Sequence, residues 1–259
     1  MRKGRRVPQS PRPLLAYEDL GAPARPAVLL IHGFAGTARA HFAPLIAALT
    51  PDFRVIAPDL SGQGRSASVA RQVDARLHHH DADDLLALLD HLALERVHLI
   101  GYSDGGEAAI ILAARLGERA RSMTVWGVSG RVPPERIVAV YADPEHRISS
   151  WPTLQAELDA LHGSGAARPM LTSWAAAMED VRAEGGAIND TEAARVTCPA
   201  LILAGDRDPF NPLEATQALA ERIPRARLVT FPGAGHDLLD ERPEQVIVLA
   251  RRMLTGVIS

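Results

Sequence analysis

Six short runs of aliphatic and β-branched residues recur along the chain, at 27–31, 54–57, 97–101, 122–126, 200–204 and 227–231. Each run is continuous. A strand with one face in water alternates apolar and polar residues, whereas an unbroken apolar run marks a strand covered on both faces, as in a parallel sheet between helical layers. The intervening segments have helical periodicity instead. Residues 83–94 place Leu85, Leu86, Leu88, Leu89 and Leu92 at helical spacing, and 107–116, 213–223 and 243–253 read the same way. Strands alternating with helices through right-handed crossovers predict an α/β fold with a mostly parallel, doubly wound sheet.

One interval breaks this rhythm. From Ser129 to Arg195 no buried-strand run occurs, and helical patterns at 134–141, 153–161 and 171–181 are separated by glycines and prolines. A helical insertion between two strands must lie at an edge or end of the sheet, so 129–195 is expected to form a lid. Residues 14–128 and 196–259 then make the core. The first thirteen residues carry Arg2, Lys3, Arg5, Arg6 and Arg12, no acid and three prolines, and read as a disordered basic tail. The apolar stretch after them stops at Tyr17-Glu18-Asp19, short of the ~7–15 apolar residues of a secretion signal.

Charge and composition exclude several classes of function. Five of the 28 basic residues lie in that tail, so the rest carries 23 against 31 acidic residues. A body of that sign has no general affinity for a nucleic-acid backbone. Lys3 is the only lysine, which leaves none in the folded part for a Walker phosphate loop, a pyridoxal Schiff base or a kinase site. No stretch approaches the ~18 apolar residues of a membrane span. The lone Cys198 cannot form an internal disulfide, which fits a cytoplasmic protein. Nothing in the composition specifies an oligomeric state.

Chemistry concentrates at the ends of the predicted strands. The run at 97–101 leads into Gly101-Tyr102-Ser103-Asp104-Gly105-Gly106 and then a helix. Small residues two before and two after a serine permit a sharp strand-to-helix turn that thrusts the hydroxyl out at the carboxyl edge of the sheet. A serine hydroxyl needs a base. His236 follows the last strand on a Gly-Ala-Gly loop, and an imidazole that titrates near ~6.5 in model peptides suits proton transfer. The base in turn needs a carboxylate. Gly205-Asp206-Arg207-Asp208-Pro209 offers two. Asp208 lies further along the loop and can turn toward His236, while Asp206 more naturally caps the turn. In Ile31-His32-Gly33-Phe34-Ala35-Gly36 the flanking glycines let the Phe34 amide turn inward as an oxyanion donor beside that of Asp104. His32 is expected to brace that loop.

These residues resemble the α/β-hydrolase family over essentially the whole chain after the tail. The matching motifs are HGFAG, DLSGQGRS at 59–66, GYSDGG, GDRDP and GAGH. The resemblance implies Ser103 as nucleophile, Asp208 as acid, His236 as base and the Phe34 and Asp104 amides as oxyanion hole, with no cofactor or metal. SDGG, VWG and CPALIL…GDRDP look most like the biphenyl-hydrolase-like or valacyclovirase branch, which hydrolyses esters of small acids, amino-acid esters included. The expected activity is therefore hydrolysis of a small carboxylic ester through an acyl-enzyme. Lactone or carbon–carbon bond hydrolysis by the same triad, or a non-catalytic ligand receptor, are the alternatives. Asp237 stands after the histidine where many carbon–carbon hydrolases and haloperoxidases have tryptophan, which weakens both readings.

Several other residues carry two readings. Asp104 either attracts a cationic substrate group or caps its helix facing away from the site. Tyr141, Trp151, Met170, Trp174 and Met178 either line a substrate pocket or form the lid's own small core, and Trp126, ending a strand near the site, is a further pocket candidate. Gly62–Ala67 fits a dinucleotide fingerprint in form, without the acidic residue that should end a following strand. His78-His79-His80 with Asp81, Asp83 and Asp84 is expected to be a solvated helix start, since neighbours on a helix point in different directions. Cys198 is expected to be packed and inert.

Overall fold

Neighbouring residues of β2 (Ala27–Ile31) enter two different cores: Leu29 and Ile31 pack on one face of the sheet, Val28 and Leu30 on the other. The same division holds in β6 (Ala200–Gly205), where Ile202 faces one way and Leu201 and Leu203 the other. Successive side chains of a strand point to opposite faces, so an unbroken apolar run is what two covered faces require. The computed structural model describes residues 14–257. The basic tail of the sequence reading lies outside the described residues.

Seven strands form one sheet in the order β1-β3-β2-β4-β5-β6-β7, completed by β1 (Tyr17–Leu20), β3 (Arg54–Pro58), β4 (Val97–Tyr102), β5 (Ala120–Trp126) and β7 (Ala226–Phe231). All neighbours pair in parallel except β1, which runs antiparallel along β3. One face carries α2 (Leu77–His91), α3 (Asp104–Leu116), α8 (Asp190–Ala193) and α9 (Leu213–Arg222). The other carries α1 (Ala38–Leu49), α10 (Leu238–Glu241) and α11 (Pro243–Leu254). The chain order reverses beside β2 and β4, and open α/β sheets bind ligands beyond the carboxyl ends of strands at such a reversal.

Between β5 and β6 the chain forms helices: α4 (Glu135–Ala142), α5 (Pro144–Ser150), α6 (Leu154–His162), α7 (Ala167–Ala183) and then α8. The neck of this insertion is closed by an antiparallel bridge between Arg131 and Ala187. Its apolar residues form two small clusters, and Phe34 packs against both. Three features depart from expectation. The short polar strand β1 has no apolar run and was not anticipated, because it is an edge strand held by pairing. Helix α2 starts at Leu77 rather than near 83. On β7 only Phe231 is fully buried, since this strand is the opposite edge. No helix among the described residues is long and apolar enough to cross a membrane.

Candidate active site

The turn from β4 into α3 is the tightest constraint on the site. Ser103 adopts φ 54° and ψ −126°, in the left-handed half of backbone space. That conformation is held by Ser103 N–H donating to Trp126 O (2.9 Å) and Gly106 N–H to Ser103 O (2.7 Å). Close approach of strand and helix makes room for no side chain at two positions. A Cβ on Gly105 would stand 2.2 Å from Ile31 O, and one on Gly101 2.6 Å from Gly105 O. The small residues at this spacing therefore answer backbone contact on both sides of the serine.

Ser103 Oγ lies 3.0 Å from His236 Nε2, and His236 Nδ1 lies 2.8 Å from Asp208 Oδ2. The other Asp208 oxygen accepts from the amides of Phe210 (2.8 Å) and Asn211 (3.1 Å), and Asn211 Nδ2 donates to Oδ2 (3.3 Å). These donors fix the carboxylate facing the imidazole. The Phe210 ring stacks on the His236 ring at 4.6 Å. Asp206 points elsewhere, accepting from Gly233 N–H at 2.7 Å, and so caps the loop that carries His236. The three side chains come from loops after three strands, and together they can move a proton from a hydroxyl through an imidazole.

A cavity of about 340 Å³ opens over Ser103, within the size range of small-molecule sites. Phe34, Tyr102, Asp104, Tyr141, Trp174 and His236 are among its walls, and Trp151, 43% exposed, stands at its mouth with the Arg147 guanidinium 5.0 Å above its ring. Met178 also lines it, whereas Met170 does not. Trp126 is not on this wall. It is 1% exposed, stacked on Tyr102 and edge-on to Phe42, because a side chain at the last position of β5 turns into the α1 core.

The Phe34 and Asp104 amides make no hydrogen bond among the described residues, which leaves both free beside Ser103. The loop holding Phe34 is braced by histidines. His32 Nδ1 donates to Gly33 O (2.8 Å) and its Nε2 accepts from Leu60 N–H (2.9 Å), while His41 Nδ1 accepts from Gly33 N–H (3.1 Å). Burial pushes His32 down to about 4 and His41 to about 3, so both act as neutral rings. Of these three braces, only His32 was visible as such in the sequence. The third is His162 of α6, whose Nδ1 accepts from Gly64 N–H (2.9 Å) and whose Nε2 donates to Ala35 O (3.0 Å), tying the insertion to this loop.

Asp104 is buried and its carboxylate is engaged. His78 Nε2 lies 3.3 Å from Oδ1, and the Trp174 indole donates to Oδ2 at 2.9 Å. Burial disfavours the charged carboxyl, but His78, Arg71 and the Trp174 hydrogen bond outweigh it and hold Asp104 below the ordinary range. His78 and Asp81 are each 1% exposed, which corrects the expected solvated helix start. The start of α2 runs beneath the nucleophile turn, and the three histidines point to separate partners, His78 to Asp104, His79 to Glu192 and His80 to Asp74. Glu107 was also missed: one oxygen accepts from Ser129 and Gly130 N–H (3.0 Å each) and the other from Asn189, so α3 grips both ends of the insertion. A glutamate inside an otherwise apolar helix was the available signal. Cys198 is buried, which pushes its thiol up to about 11.

Asp237 accepts from the Tyr102 phenol and borders the cavity. Burial, then the charges of Asp240 and Glu241, push its carboxyl up to about 6. Between the ordinary carboxylate range and that value the folded chain holds a proton that the unfolded chain has released. Stability from this group therefore falls as pH rises through the window. Asp237→Asn is expected to remove that slope and to stabilise the protein above pH 6 by an amount on the order of 1 kcal/mol, after allowance for partial exposure. Urea unfolding below and above the window checks this; an equal change at both pH values would sink it.

A family model described as the alpha/beta hydrolase family matches residues 28–249, and the chain belongs to that family. The human serine hydrolase BPHL is 30% identical over 215 residues, covering 82% of this chain and 73% of that protein. A putative carbamate hydrolase RutD from Caulobacter sp. (strain K31) is 29% identical, covering 93% of this chain and 96% of the other. Among solved structures, a thermophilic esterase from Thermogutta terrifontis superposes with a TM-score of 0.70 at 28% identity, covering 95% and 94% of the two chains.

Proposed function

We propose that this protein is a serine hydrolase that cleaves small carboxylic esters through an acyl-enzyme. The observation that carries the reading is the continuous chain Ser103 Oγ, His236, Asp208, with spacings of 3.0 and 2.8 Å, opening into the cavity of about 340 Å³. His236 Nε2 takes the hydroxyl proton as Ser103 Oγ bonds to the ester carbonyl carbon. The resulting oxyanion is received by the Phe34 and Asp104 amides. Collapse expels the alcohol, which leaves with the proton from His236, and the acyl group stays on Ser103. His236 then deprotonates a water that attacks the acyl carbon and releases the acid. The insertion at 129–195 acts as the lid, and its aromatic residues bound the space for substrate. A serine hydrolase and an esterase among the similar proteins support this reading.

The expected result is a burst of p-nitrophenol, close to one equivalent, on mixing with p-nitrophenyl acetate, together with an acetylated Ser103 peptide by mass spectrometry. Turnover with no adduct on Ser103 would replace the acyl-enzyme route.

A preference for amino-acid esters is favoured by one feature, the ionised Asp104 carboxylate on the cavity wall beside the nucleophile. Asp104→Asn is expected to lower kcat/KM for alanine p-nitrophenyl ester, relative to p-nitrophenyl propionate, by about 10- to 100-fold, the worth of one charged hydrogen bond. An unchanged ratio would leave Asp104 as a structural partner of His78 and Trp174 alone.

A further inference from the structure

The residue just before Ser103 and the residue just after His236 are joined to each other. The Tyr102 phenol donates to Asp237 Oδ1, across 135 positions of sequence. The acyl-enzyme route makes no use of this bond.

Asp237 is locally disfavoured twice. It precedes α10, where an aspartate ordinarily turns its carboxylate back onto the first free amides of the helix. Here the side chain caps nothing, although the Asp237 carbonyl accepts from the Asp240 and Glu241 amides (3.0 and 2.9 Å). Burial and then the charges of Asp240 and Glu241 also oppose its ionisation. A carboxyl group that forgoes its cap and sits beside like charges is directed instead at Tyr102.

Tyr102 is itself firmly seated. It is 8% exposed, stacked on Trp126 at 5.7 Å and edge-on to His41 at 5.0 Å. Ser103 N–H, next in the chain, donates to the carbonyl of the same Trp126. The Tyr102 ring also lies 5.2 Å from the His236 imidazole. His236 follows a turn that passes through Gly233 at φ 72°. Asp208 and Phe210 hold the imidazole from the loop after β6, and the phenol ties its backbone neighbour to the nucleophile turn.

We infer that Tyr102 and Asp237 are a positioning pair, whose hydrogen bond sets the spacing between Ser103 Oγ and His236 Nε2. The effect on rate rests on the serine-hydrolase reading; the effect on geometry does not.

Kinetics on p-nitrophenyl butyrate and crystal structures of Tyr102→Phe and Asp237→Leu test the two effects separately. Each variant is expected to lose about 10- to 100-fold in kcat, with KM within about twofold of the parent. The double variant should lose no more than about threefold beyond the more impaired single one, because both changes remove one interaction. Asp237→Asn keeps an oxygen for the phenol and should recover most of the loss seen in Asp237→Leu. In the crystals His236 Nε2 is expected to stand more than about 3.5 Å from Ser103 Oγ, or to occupy two positions. Thermal melts report folding, and if Asp237→Leu does not fold, Tyr102→Phe carries the test. An inactive parent with a displaced His236 in the variants would remove the ester reading and leave the pair standing. The inference is overturned by a single His236 position at the parental spacing in a folded variant, whatever its activity. Unchanged kcat in either single variant of an active enzyme, or losses that multiply in the double variant, would overturn it equally.

Discussion

Ser103→Ala is expected to lose about 10⁵- to 10⁶-fold in kcat on p-nitrophenyl butyrate, the size of loss that follows removal of a nucleophile from a triad acting as a unit. Its fold should be intact, because among the described residues the hydroxyl is hydrogen-bonded to His236 alone and the backbone bonds of the turn remain. Ser103→Gly should be equally inactive yet more stable. At φ 54° a Cβ is strained by roughly 1–2 kcal/mol, and the added freedom of glycine in the unfolded chain offsets part of that gain. The net expectation is a stabilisation of about 0.5–1 kcal/mol and a Tm higher by about 1–4 °C. Steady-state kinetics and thermal melts of both variants decide it. Appreciable turnover by Ser103→Ala would remove the nucleophile assignment, and a Ser103→Gly protein no more stable than Ser103→Ala would remove the strain account.

The second large effect separates two aspartates one residue apart. Asp208→Asn keeps the shape of the side chain but withdraws the charge that orients His236 and stabilises its imidazolium, so kcat should fall about 10³- to 10⁴-fold. Asp206→Asn should leave kcat within about threefold, under 1 kcal/mol in the barrier, because that side chain only accepts the Gly233 amide and retains an oxygen to do so. Comparable losses in the two variants would mean that the 205–209 loop as a whole, rather than Asp208, positions the base.

Much of the architecture was legible in the residues themselves. The apolar runs gave six of the seven strands to within one or two residues; in five of them the run reflects a strand sandwiched between helices, whereas on edge strand β7 only Phe231 is buried. The missing strand, β1, is Tyr-Glu-Asp-Leu. It forms because its backbone pairs with β3, where Asp19 adds an ion pair to Arg54, and no apolar periodicity announces that pairing. Helix α2 was placed too late for a related reason: His78 and Asp81 look polar in one dimension and are buried in three.

At the site, Ser103, Asp208 and His236 stood out because each lies just past a strand end, where the backbone turns sharply and residue type is narrowly constrained. The choice between Asp206 and Asp208 was arguable from loop position and became a matter of distance. Trp126 shows the opposite outcome. Its place at a strand end was visible, but which face its ring took depended on Phe42 and Tyr102, from distant parts of the chain.

Strand and helix periods, the glycine spacing about Ser103 and the order of serine, acid and histidine are local properties, enforced by backbone sterics and by the alternation of side chains along each element. They were set by the residues alone. The pairing of His78 with Asp104, the His162 bridge to the Phe34 loop and the grip of Glu107 on both ends of the insertion all join segments far apart in the chain. Such contacts depend on how the packed layers meet in space, and no periodicity along the chain encodes a buried polar group's eventual partner.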